Sequence, residues 1–112
     1  MSARLPVLFV GHGNPMHAVS DGPFPRTLER LGRELPRPRA VVCVSAHWQT
    51  PDLRVTAMAA PRTIHDFAGF PRELFEVRYP APGSPATAAR LRELIPEAAA
   101  DLAWGRDHGA WS

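Results

Sequence analysis

The run Ala40-Val41-Val42-Cys43-Val44-Ser45-Ala46 constrains this chain more than any other feature. It is rich in β-branched residues and apolar on both faces, so it has no side suited to water. Such a run fits a parallel strand covered on both sides. It ends at His47-Trp48. A second apolar run, Leu5 to Val10, ends in Gly11-His12-Gly13-Asn14-Pro15 and reads as a buried strand running into a loop. With 112 residues the chain has room for one domain at most. A chain this short buries only about 60–70% of the surface it exposes when unfolded.

The remaining pattern alternates helix and strand. Pro25 to Leu35 carries Leu28, Leu31 and Leu35 at helical spacing, with Pro25 in the first turn and Pro36 and Pro38 as stops. Leu53 to Met58 alternates as a third strand, and Pro71 to Glu76 reads as a short helix. Ser84 is placed to cap a helix over Pro85 to Leu94, with Leu91, Leu94 and Ile95 as its apolar side. Ala98 to Trp104 reads as a fourth short strand. The class is α/β: a mixed, partly parallel sheet with flanking helices.

Composition narrows the function classes. Hydrophobic residues make up 45% and charged residues 21%, as in a soluble globular protein. No apolar run is long enough to cross a membrane as a helix. The first apolar run meets Gly-His-Gly rather than a small-residue cleavage site, which argues against a signal peptide. All thirteen basic residues are arginine, yet the net charge is only +2. The densest stretch, Arg26 to Arg39, alternates with Glu29 and Glu34 as a solvated helix face does, so neither a nucleic-acid nor a membrane partner is expected. The single cysteine, Cys43, excludes an internal disulfide framework and a zinc ribbon. Its place in an apolar run reads as a small core residue, and a reducing cytoplasm suits it.

Histidine carries the chemical signal. His12 and His47 sit just past the ends of the two apolar runs, where open α/β sheets bind ligands. If those runs are adjacent parallel strands, their ends lie about 5 Å apart and both imidazoles can reach one metal ion. A single histidine at a strand end is more often a hydrogen-bonded loop residue; two at matched ends weigh evenly between the readings. The Gly11–Gly13 loop lacks the third glycine of a dinucleotide fingerprint, since position 16 is Met16, and the chain has no Walker lysine. Ser45 lacks a nucleophile-elbow context. Asp107-His108 on spacing alone reads as a polar turn.

The segments Pro6–Pro15, Ala40–Trp48, Thr63-Ile64-His65-Asp66-Phe67-Ala68-Gly69-Phe70-Pro71, Tyr79–Gly83 and Asp107-His108-Gly109-Ala110-Trp111 occur in the order and with the gaps of one family. Through them the chain resembles the N-terminal part of the DODA-type extradiol aromatic ring-opening dioxygenases, the LigB-like class III family that includes DOPA 4,5-dioxygenases. The resemblance implies a LigB-like fold in which residues 1–112 form the N-terminal portion of a single catalytic domain, incomplete at the C-terminus. It implies one mononuclear non-haem site, Fe(II) or Zn(II), held by His12 and His47. A catechol-type aromatic is the implied substrate and dioxygen the co-substrate. By the same analogy His108 is an acid–base or supporting residue near the substrate, and His65 and Asp66 border the pocket. His17 has no counterpart and reads as a surface loop residue.

Two departures matter. Ala68 stands where the family commonly has an aromatic residue. Family chains also continue well past the Asp-His-Gly motif, and their remaining metal ligands lie in that continuation. The alternative expectation is therefore a truncated, non-catalytic fragment or half-domain that pairs with another chain, or with itself, through an unpaired sheet.

Overall fold

A computed structural model describes residues 4–112. Its best-determined helix by sequence is α3, Pro85–Leu94. Ser84 caps it, accepting the Thr87 N–H at 3.2 Å, and Pro85 occupies the first turn, where its missing N–H costs nothing. Pro96 follows one residue beyond the cap, Ile95. The first helix, α1, spans Pro23–Glu34 and begins two residues before the expected Pro25. Asp21 accepts the Gly22 N–H and the Arg26 guanidinium at its start. Leu28, Leu31 and Leu35 lie on its half-buried side as their spacing predicts. A 3₁₀ turn, Pro15–Ala18, precedes it, and α2 is the single turn Arg72–Phe75.

Among the described residues the sheet has two strands, β1 (Arg54–Thr56) and β2 (Ala99–Asp101), paired in parallel with Val55 opposite Ala100. Both fall inside expected strands. β2 ends at Asp101 because that carboxylate accepts the Ala103 and Trp104 N–H groups and turns the chain. Beyond the turn the parallel pairing resumes as one bridge between Thr63 and Arg106. There the Ile64 N–H donates to the Arg106 carbonyl at 2.7 Å, and the Arg106 N–H donates to the Arg62 carbonyl at 2.8 Å. The core is small: Leu74, Ala88, Ala98 and Trp111 are its buried apolar residues. Ala88 of α3 and Ala98 beside β2 let helix and sheet approach closely.

The two strongest strand expectations are corrected. Among the described residues, neither 5–10 nor 40–46 belongs to a strand, and no backbone–backbone hydrogen bond joins either run to a second segment of the sheet. Extended backbone becomes a strand only with a ladder partner. Their large apolar side chains stand in solvent: Val7 is 99% exposed, Phe9 104% and Val44 94%. Cys43, expected in the core, is exposed with them. A cavity of about 320 Å³ is lined by Val41 and Val44 together with Val55, Leu91 and Ile95.

The whole molecule reflects these uncovered runs. Its Cα radius of gyration is 15.0 Å, against about 13 Å for a compact domain of this length. Its accessible surface is 8535 Å², against about 6,100 Å² for a folded monomer of this mass. No helix among the described residues is long and apolar enough to cross a membrane.

Candidate metal centre

Three histidines from distant parts of the chain converge. His12 lies in the loop after the first apolar run, where Gly13 takes a left-handed φ of +66° and Asn14 accepts the Met16 N–H to start the 3₁₀ turn. His47 lies in the turn after the second run, its N–H donating to Ser45 Oγ at 3.2 Å. His108 opens α4, His108–Trp111. The Nε2 atoms of His12 and His47 are 2.8 Å apart. The His108 ring centroid is 3.9 Å from that of His47 and 5.3 Å from that of His12. One potential ligand atom from each of the three lies within 4.8 Å of the others.

The electrostatics favour neutral imidazoles at His12. Partial burial, then the proximity of His47 and His108, hold its pKa below the ordinary histidine value despite the opposing pull of Asp107. Its Nδ1 is buried without a hydrogen-bond partner. A contact between two ring nitrogens needs one N–H and one lone pair; a cation can replace that shared proton and use both lone pairs. Three clustered nitrogen donors among the described residues therefore fit a divalent transition metal.

Two carboxylates brace the cluster. Asp107, 2% exposed, caps α4 by accepting the Gly109 N–H at 2.9 Å. It also accepts the Ser45 hydroxyl at 2.6 Å and the Trp104 Nε1–H at 3.2 Å. Through Ser45 it ties the His47 turn to the helix that carries His108. Gly109 makes this approach possible: a Cβ there would fall on the Ser45 hydroxyl and lie 2.9 Å from His47 Cδ2. Trp48 stacks on Trp104 with ring centroids 5.9 Å apart. Asp66 accepts both the His108 N–H, at 2.9 Å, and His108 Nδ1–H, at 2.8 Å. Burial would raise the Asp66 pKa, but these hydrogen bonds from His108 outweigh it and hold the carboxyl below its ordinary value.

The sequence-predicted residues thus divide. His12, His47 and His108 come together, and Asp66 reaches them through His108. His65 does not join: its Nε2–H donates to the Val77 carbonyl at 2.8 Å, and its ring packs near Phe75 and Trp111. His17 is half-buried against Phe24, 4.7 Å between centroids, rather than a free surface residue. Asp107, expected in a polar turn, is the buried cap of a short helix. Sequence reading alone does not find the Ser45–Asp107 contact. Its only signal is that each partner lies within two residues of a clustered histidine.

No protein-family model matches the chain. Among curated proteins it is 55% identical over 113 residues to the 4,5-DOPA dioxygenase extradiol of Escherichia coli K12, an alignment that covers 98% of this chain and 42% of that protein. It is 38% identical to the Beta vulgaris protein of the same name, covering 92% of this chain and 41% of the relative. It is 32% identical to the dioxygenase tasH of Hapsidospora irregularis, covering 95% and 38%. The chain spans about two-fifths of the length of these relatives. Over nearly its whole length, this chain is a homologue of the N-terminal part of proteins named as extradiol DOPA dioxygenases.

Proposed function

We propose that residues 1–112 are the N-terminal portion of a LigB-like catalytic domain that opens catechol-type aromatic rings at the extradiol position, with a mononuclear metal, Fe(II) or Zn(II), and dioxygen. The observation that carries this reading is the convergence of His12, His47 and His108. His12 and His47 are the proposed metal ligands, and the lowered pKa of His12 favours the neutral imidazole that binds metal. Held by His12 and His47, Fe(II) would supply Lewis acidity toward the substrate and an electron source for dioxygen. His108 is the proposed acid–base residue, with Nε2 as the nitrogen that takes a proton from a substrate hydroxyl. Asp66 and the aromatic wall of His65 and Phe67 border the proposed substrate pocket, Phe67 lying 5.8 Å from His108. A small-molecule catechol is the proposed partner and the cytoplasm the proposed compartment.

Oxygen uptake tests this reading. With Fe(II) and a catechol, the chain consumes dioxygen, and His12→Ala and His47→Ala each abolish consumption. Uptake that survives both substitutions overturns it. His108→Ala separates the roles: it removes turnover and leaves one metal per chain if His108 is an acid–base residue, and loses the metal if it is a ligand.

A second reading has its own observation. The exposed 5–10 and 41–44 runs suit a half-domain that pairs with another polypeptide and is silent alone. Oxygen uptake that appears only when the remaining three-fifths of a relative is supplied in trans favours it.

A further inference from the structure

We propose that Asp66 is the positioning residue of His108, fixing both the direction of the imidazole and the ring nitrogen that carries its proton. This rests on the reading of His108 as the acid–base residue. One Asp66 oxygen, Oδ1, accepts two hydrogen bonds from the same residue, the backbone N–H and Nδ1–H of His108. A carboxylate only accepts, so Nδ1 bears the hydrogen; a neutral imidazole has one N–H, so Nε2 bears the lone pair. The proton of a catechol hydroxyl then has one destination: the O–H bond breaks, the Nε2–H bond forms, and Asp66 balances the resulting imidazolium through a charge-assisted hydrogen bond.

The segment that presents Asp66 is held independently of His108. Trp111 Nε1–H donates to the Ile64 carbonyl at 2.9 Å, His65 donates to Val77, and Phe67 stacks on Phe75 at 4.8 Å. The parallel bridge between Thr63 and Arg106 sets the two segments side by side, so Asp66 and His108 meet a few residues further on. The cap of α4 is already supplied by Asp107, so Asp66 adds an orienting contact to the ring. Side-chain exposure of 20% for Asp66 and 9% for His108 shields the pair from competing water.

Nitrogen-15 histidine NMR of the metal-free chain at about pH 8, above the ordinary histidine pKa, reads the ring protonation directly. In the wild type His108 is expected as the Nδ1–H form. Asp66→Asn keeps the shape but can turn an NH₂ toward the ring, so the form becomes mixed. Asp66→Ala lets His108 revert to the Nε2–H form that free histidine favours, while His12 and His47 keep their patterns. A wild-type His108 in the Nε2–H form, or an Nδ1–H form retained in both variants, overturns the proposal. If Asp66→Ala does not fold, Asp66→Asn decides. A merely structural carboxylate would lower the unfolding midpoint without moving this signature. Full oxygen uptake by His108→Ala would remove the acid–base reading and leave the NMR result standing.

Discussion

At the residue scale, buried hydrogen bonds around the histidines decide the site. Asp107→Ala leaves the Ser45 hydroxyl, Trp104 Nε1–H and Gly109 N–H without their acceptor. A loss of about 2–4 kcal/mol is expected, read as a shift in the urea unfolding midpoint. Asp66 adds a pH dependence. Its folded pKa lies below the unfolded value, so its contribution is full above the unfolded carboxylate pKa of about 4. That contribution is lost as pH falls through the folded pKa. The acid limb of a stability–pH profile should therefore be shallower in Asp66→Asn than in the wild type. The histidine pair His12 and His47 was legible in sequence because each follows an apolar run; the bonds that hold His47 and His108 were not. Ser45 and Asp107 are 62 positions apart and meet only through a fold that no local pattern encodes.

At the scale of elements, local chemistry predicted well wherever it was sufficient by itself. α3 follows from Ser84, Pro85 and its leucines, and its bounds agree with the expectation residue for residue. Ser84→Ala should cost about 1 kcal/mol by removing the cap, measurable by thermal unfolding. β1 and β2 appear inside their expected windows because each finds the other. The runs 5–10 and 40–46 have stronger intrinsic strand character, yet they form no ladder among the described residues. Strand formation is a property of a pair, so apolar β-branched sequence specifies what a segment needs and not what it meets. α4 was missed because a single turn has no periodicity to detect; its cap, Asp107, was the signal.

At the scale of the whole molecule, exposed apolar surface governs behaviour. Phe9→Ser and Val44→Ser should change stability by less than about 0.5 kcal/mol, because both side chains already face water, whereas Leu74→Ala should cost about 2–5 kcal/mol. The same surface should drive self-association and dye binding. Gel filtration is expected to show species larger than a monomer, reduced in the Phe9→Ser/Val44→Ser double variant. A clean monomer that binds no hydrophobic dye would contradict that expectation. Self-association would leave the histidine cluster in place, since its three members are tied by contacts within one chain.

An anaerobic Fe(II) titration by calorimetry tests whether this chain's own histidines form a metal site. Saturable binding of one metal per chain is expected, abolished in the His12→Ala/His47→Ala double variant. Absence of saturable binding, or binding unchanged in that variant, would contradict it.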